Sequence, residues 1–117
     1  MIRGRFSDAA TRFHGLDLGI SSITLAELEY GVHRSSNPQK NETALRHFCT
    51  GVIVYPFDAL AASIYGTIRN DLEAIGTPIG PLDTLIAAHT LALNGILITN
   101  NAKEFQRVQG LQIKRFP

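Results

Sequence analysis

Hydrophobic residues recur at three- and four-residue steps in several stretches of the chain, which is the spacing of an amphipathic helix. The clearest stretch begins after Asp58, whose side chain can cap a helix, and stops at Gly76, a residue type that commonly ends one. Another follows Pro81, because proline suits the first turn of a helix. Helices are predicted over residues 23–34, about 40–50, 59–75, 81–93 and 102–108, with a weaker helical pattern over residues 2–13.

Short runs of branched and aromatic residues separate these helices and are typical of buried strands. They cover residues 16–20, 52–57, 96–99 and 111–116. Strands that alternate with helices predict a single α/β domain, in which a parallel sheet is flanked by helices on both faces. Sites in such sheets form at the carboxyl ends of the strands. This rule draws attention to residues 21–27, 81–83 and 99–104.

Composition is that of an ordinary globular domain. The 117 residues suffice for one compact core, and 44% are hydrophobic while 18% are charged. The net charge of +1 gives no support to a strongly basic nucleic-acid coat, although a local basic patch remains compatible with it. Cys49 is the only cysteine, so no internal disulfide is possible. No apolar run approaches the roughly twenty residues of a membrane span, and we expect a cytoplasmic protein.

Several common motifs are missing from the sequence. No GxGxxG follows a predicted strand, and no phosphate-binding GxxxxGK[ST] loop occurs. The four histidines lack the neighbours and spacing of a zinc site. A nucleotide-binding enzyme and a zinc enzyme are therefore unsupported.

Three acidic residues lie near the predicted strand ends, and each has a simple structural explanation. Thr24-x-x-Glu27 fits a helix capping box. Asp83, in the first turn of its helix, would complement the helix dipole. Glu104 fits a solvent-facing helix charge, and that explanation is favoured for it.

Taken together, Glu27 and Asp83 indicate more than helix capping. Both follow turns at which a parallel sheet would gather a site, and two converging carboxylates repel each other unless a cation or a proton lies between them. Mg²⁺ prefers a few carboxylates and several waters, and it accompanies phosphate substrates. It also makes bound water easier to deprotonate, so hydrolysis needs no nucleophilic side chain.

Two segments carry motifs that resemble one known family. Residues 21–31 read SSITLAELEYG, and residues 76–105 read GTPIGPLDTLIAAHTLALNGILITNNAKEF. The first resembles the strand-to-helix segment of VapC toxins, which are PIN-domain ribonucleases. The second resembles their G-P-x-D helix, the strand after it and their T-N-x-x-x-E-F turn. The closing LQIKRF also fits, so the resemblance spans nearly the whole chain and implies a PIN-like α/β fold.

The resemblance also implies site residues. Glu27 and Asp83 would help to hold Mg²⁺, or Mn²⁺ in its place, with Asp83 a direct ligand. Asn101 stands where many relatives have a further aspartate, and its amide would orient a metal-bound water. Ser22 and Thr99 would supply hydroxyl groups at the rim of the site, although helix capping explains Ser22 equally well.

The same resemblance implies an activity and partners. It implies an endoribonuclease toxin that cleaves tRNA, in closer relatives the anticodon loop of initiator tRNA. It further implies a VapB-type antitoxin that covers the site, and a homodimer. Arg69 and Lys103 are candidates for contacts to RNA phosphates, with surface solvation the favoured explanation for both.

The chain departs from the family pattern at its amino end. Relatives begin with a strand reading roughly L-D-T-N, whose aspartate is a principal metal ligand, whereas here Met1 falls inside the helix that follows. We therefore expect a domain over residues 1–117 that lacks this central strand, with the edges of its neighbours unpaired. The explanations left open are a start further upstream and a degraded copy that binds antitoxin without cutting RNA. A small α/β ligand-binding domain without a metal is a third possibility.

Overall fold

The computed structural model describes residues 10–13 and 17–115. Strands and helices alternate along this part of the chain, as the hydrophobic pattern predicts. In order they are β1 (Ala10–Phe13), β2 (Asp17–Ser21), α1 (Ser22–Arg34), α2 (Pro38–Cys49), β3 (Ile53–Tyr55), α3 (Ala59–Ala74), α4 (Pro81–Ala92), β4 (Ile96–Ile98), α5 (Ala102–Phe105) and β5 (Gln112–Lys114). None of the described helices is long and apolar enough to span a membrane.

The five strands form one sheet in the order β3-β2-β1-β4-β5. Strands β2 and β3 run parallel, as do β4 and β5, so the predicted α/β fold with parallel strands is confirmed. Strand β1 lies at the centre and pairs antiparallel with both β2 and β4. The carboxyl ends of β2, β3 and β4 are followed by α1, α3 and α5, and this arrangement positions the site.

Strand β1 corrects two predictions. The weak helical pattern over residues 2–13 is wrong for Ala10–Phe13, and residues 1–9 lie outside the described part. The expected unpaired edges are also wrong, because β1 pairs with the facing edges of β2 and β4. Unpaired N–H and C=O groups on two buried strands are costly, so sheet pairing outweighs a weak local preference for helix.

The start of α1 decides how Glu27 is placed. The Ser21 side chain caps this helix and accepts a hydrogen bond of 3.0 Å from the N–H of Ile23. The capping-box hypothesis is therefore wrong, because Thr24 lies inside the helix and Glu27 falls in its second turn. Thr24 is only 4% exposed, and its hydroxyl has no hydrogen-bond partner. Capping thus explains neither side chain.

Two hydrophobic clusters hold the helices on the sheet. One joins α1 and α2 to β2 through Ile20, Leu28, Val32 and Leu45. The other joins α3 and α4 to β4 and the segment after it, through Ile68, Leu72, Ile86, Ala87, Ala88, Leu97, Phe105 and Val108. Each large buried side chain contributes about 1.5–3 kcal/mol relative to its exposed state. Helix α1 also packs against α4.

Candidate metal site

Three carboxyl groups from three helices converge at the carboxyl ends of the strands. Asp83 lies in the first turn of α4, Glu104 in α5 and Glu27 in α1. The Asp83 carboxyl hydrogen-bonds that of Glu104, and the charge of Glu27 also acts on it. All three side chains are half-buried. The fold therefore brings Glu27 and Asp83 near each other and adds Glu104 to them.

The interpretation of Glu104 as a solvent-facing charge is wrong. Helix α5 is a single turn directly after β4, and Ala102 and Phe105 are buried in it. Burial of those two residues fixes the helix against the sheet, and this places the half-buried Glu104 beside Asp83. The sequence signal for this placement was the position of Glu104 shortly after the end of a strand. The contact with Asp83 itself depends on the sheet topology.

Electrostatics at Asp83 are dominated by burial and by the neighbouring acids. Burial, the hydrogen bond with Glu104 and the charges of Glu104 and Glu27 together raise the pKa of Asp83 to about 6, with burial the largest cause. The amino end of α4 acts the opposite way, because a helix dipole favours a negative charge there. Two carboxyl groups can share a hydrogen bond only if one carries a proton.

No basic side chain offsets these acids in the part of the chain that the structure describes. Its ion pairs join Arg46 to Glu29 and Glu42, and Arg69 to Glu73. None of them involves an acid of the site. Below a pH of about 6 a proton on Asp83 relieves the repulsion from Glu104 and Glu27, and above it a bound cation would do the same.

The side chains present fit a hard divalent cation in their chemistry, although they do not enclose one. Among the described residues, no three His, Cys, Asp or Glu side chains are grouped closely enough to hold a metal ion by themselves. Mg²⁺ needs no such group, because it keeps several waters and uses one or two carboxylates. The unpartnered hydroxyl of Thr24 lies one turn before Glu27 on the same face of α1, so it offers a further oxygen to bound water.

The remaining predicted site residues have other or peripheral positions. Thr99 is fully buried and its hydroxyl accepts a hydrogen bond of 3.0 Å from the N–H of Asn101, so Thr99 shapes the turn instead of lining the rim. Asn101 is exposed at the start of α5, on the turn that leads to Glu104. The Ser22 hydroxyl accepts a hydrogen bond of 3.0 Å from the N–H of Phe57. It therefore does not cap α1, and it links the start of α1 to the segment after β3.

A buried histidine that the sequence motifs did not identify fixes α4 beside these elements. His89 is 2% exposed, and its Nδ1 lies 2.7 Å from the Ser21 hydroxyl. The ring also donates to the carbonyl of Pro56, so in the neutral imidazole Ser21 donates to Nδ1. The Phe57 ring packs edge-on against it at 5.3 Å. His89 thus ties α4 to the ends of β2 and β3, and that sets the position of Asp83.

Comparison with known proteins assigns a family to this arrangement. Residues 3–111 match the PIN domain. The chain is 43% identical over 93 residues to the tRNA(fMet)-specific endonuclease VapC of Shigella flexneri, with 80% of this chain and 70% of that protein covered. It is 39% identical over 113 residues to the protein of the same name from Salmonella typhimurium, with 97% of this chain and 82% of that protein covered.

Solved structures agree with the sequence comparison. The VapBC2 complex of Rickettsia felis, bound to a DNA fragment from its promoter, superposes with a TM-score of 0.82 at 41% identity. That match covers 85% of this chain and 74% of the other. The PIN-like α/β fold expected from the motifs is therefore confirmed.

Proposed function

We propose that this chain, which belongs to the PIN-domain family as a VapC-type endoribonuclease, cleaves tRNA. Mg²⁺ held at Asp83, Glu104 and Glu27 would assist the cleavage. One observation carries the proposal. The carboxyl groups of Asp83 and Glu104 are hydrogen-bonded to each other beside Glu27, with no basic side chain of the described residues paired to them. Such a group of acids lowers the stability of the folded protein unless it binds a cation. Its presence is therefore explained by a function, since it does not help the chain to fold.

The mechanism assigns a task to each side chain. Mg²⁺, when bound, makes water easier to deprotonate and offsets negative charge on the phosphate. Asp83 and Glu104 would bind it directly, because of the three acids these two interact most strongly. Glu27 would accept a hydrogen bond from a water and take its proton, and Asn101 would orient that water from the α5 turn. Mn²⁺ can replace Mg²⁺ at a site made of oxygen ligands.

The substrate we propose is initiator tRNA, cut in its anticodon loop. Two of the relatives described above are named as tRNA(fMet)-specific endonucleases, and the identity to both covers most of this chain. The three acids of the site are half-buried, so each keeps part of its surface exposed. A single-stranded loop can place its backbone there, whereas a regular A-form helix keeps its major groove too narrow for side chains.

The partners we propose are a VapB-type antitoxin and a second copy of this chain. The solved structure from Rickettsia felis is a VapBC complex, which supports an antitoxin as partner. An antitoxin that covers the acids would block RNA from reaching them. Adding antitoxin in an amount equal to the chain should stop cleavage. Sedimentation of the free chain would measure whether it forms a dimer.

The test is cleavage of a total tRNA pool by the purified chain. We expect discrete Mg²⁺-dependent products that EDTA and Asp83→Asn each abolish. The matched control is Asp71→Asn, because Asp71 is exposed on α3 and outside the acid group; it should cleave as the unchanged chain does. A folded sample that cuts nothing but binds antitoxin would replace this function with that of an inactive antitoxin-binding protein.

A further inference from the structure

Helix α1 carries an exposed aromatic and cationic pair on the same side as Glu27. Tyr30 and Arg34 follow Glu27 by three and seven residues, which places all three along one side of the helix. With a rise of about 1.5 Å per residue, they lie roughly 4.5 Å and 10.5 Å further along the axis. A strip of side chains therefore leads away from the acids toward the end of α1.

The pair is held together in one geometry. The guanidinium carbon of Arg34 lies 5.9 Å from the centre of the Tyr30 ring, and its Nη1 donates a long hydrogen bond of 3.4 Å to the Tyr30 hydroxyl. Tyr30 is nevertheless 60% exposed. A large aromatic ring that stays this exposed beside a cation contributes little to the core, so packing does not explain it.

Charge distinguishes Arg34 from the comparable arginines. Arg46 is paired with Glu29 and Glu42, and Arg69 with Glu73. In the described residues, no carboxylate is paired with Arg34. A basic residue in the last turn of a helix also complements the helix dipole, which is the competing explanation for its charge. That explanation leaves the exposed ring of Tyr30 unaccounted for.

We propose that Tyr30 and Arg34 form a subsite for single-stranded RNA beside the bond that is cut. A base stacks on the Tyr30 ring, and the Arg34 guanidinium binds a backbone phosphate. This inference rests on the proposed function, because the subsite holds the strand whose phosphate reaches Asp83 and Glu27. The acids repel RNA, so a cation nearby on the same helix offsets that repulsion. Stacking on an aromatic ring and binding of phosphate by arginine are how proteins hold unpaired strands.

Binding measurements test the subsite separately from catalysis. Fluorescence anisotropy of a labelled initiator tRNA transcript is measured with Asp83→Asn as the parent, so that no cleavage occurs. Tyr30→Ala should weaken binding about tenfold, while Tyr30→Phe keeps the ring and binds nearly as the parent does. Arg34→Ala should reduce the slope of log Kd against log salt by about 0.7, and Arg34→Lys should restore it.

A matched control lies on α3. Tyr65 and Arg69 form the same pair four residues apart, with a hydrogen bond of 3.0 Å, but Glu73 already neutralises Arg69. Arg69→Ala should leave the salt slope unchanged. In the cleavage reaction with Asp83 intact, Tyr30→Ala should raise KM about tenfold and change kcat far less, since the ring holds substrate and performs no chemistry.

The outcomes separate the two proposals. Unchanged affinity in Tyr30→Ala together with an unchanged salt slope in Arg34→Ala overturns the subsite, even if the chain cleaves tRNA. The predicted losses of binding, together with no cleavage by the unchanged chain that carries Asp83, would support the subsite and refute the nuclease. Loss of binding in Tyr30→Phe and Arg34→Lys as well would show that α1 is merely disturbed, and would overturn the subsite too.

Discussion

Replacing Asp83 with Asn should stabilise the metal-free protein at neutral pH. The usual pKa of the Asp83 carboxyl, 3.8, is raised to about 6 in the folded chain by burial and by Glu104 and Glu27. The folded state therefore binds the proton more tightly than the unfolded chain does. Stability that is present at low pH is lost as the pH rises through about 6. An asparagine keeps a donor for Glu104 and removes the charge.

The size of this effect follows from the pKa. A shift of roughly two units corresponds to about 3 kcal/mol at 1.36 kcal/mol per unit. Asp83 is half-exposed, so solvent screening reduces this to about 1–1.5 kcal/mol. In a domain of this size the melting temperature should rise by roughly 4 °C.

The assay is thermal unfolding in EDTA at pH 7.5 and at pH 5. Asp83→Asn should be the more stable protein at pH 7.5, with a smaller difference at pH 5, where the carboxyl of the unchanged chain is largely protonated. Asp71→Asn is the control and should shift neither midpoint. Mg²⁺ should then stabilise the unchanged chain and not the variant. If Asp83→Asn is equally or less stable at pH 7.5, the carboxyl repulsion inferred from the structure does not exist.

Two further predictions concern the elements that hold the site. His89→Ala should lower the free energy of unfolding by about 3 kcal/mol in urea titrations, because it leaves a cavity and frees Ser21. Burial lowers the pKa of His89, so the unchanged chain should lose stability as the pH falls below 6.5. The His89→Ala variant should lose less stability over the same pH range. Equal dependence of stability on pH in the two proteins would contradict this. Gly19→Ala should prevent soluble folding, since its Cβ would lie 2.7 Å from the Ile53 carbonyl oxygen and closer still to Tyr55; a normal melting temperature would refute it.

Local signals predicted most helices and strands. Asp58 accepts a hydrogen bond of 3.0 Å from Ala61, and Pro81 begins α4, so cap and turn residues set these starts as expected. The core positions of α3 follow from the same spacing. Such features involve neighbours in sequence, which is why the sequence alone shows them.

The missed features depend on contacts between distant residues. The strand at Ala10–Phe13 exists because two other strands need a partner there, and nothing in its own four residues requires it. Glu104 joins Asp83 only because α5 packs directly after β4. The capping box at Thr24 and Glu27 does not form, because β2 ends at Ser21 and α1 begins directly after it. Asp83 and Glu27 were found as candidates, since their motifs lie at strand ends.

Asp83 and Glu104 are proposed to hold a divalent metal beside Glu27. The most direct measurement is Mn²⁺ binding by electron paramagnetic resonance on the purified chain, with Asp83→Asn, Glu104→Gln and the control Asp71→Asn. The structure predicts a Mn²⁺ site that either of the first two variants abolishes or weakens, with Mg²⁺ competing for it and Asp71→Asn unchanged. Equal Mn²⁺ binding in Asp83→Asn and Glu104→Gln would contradict the account and place any metal elsewhere.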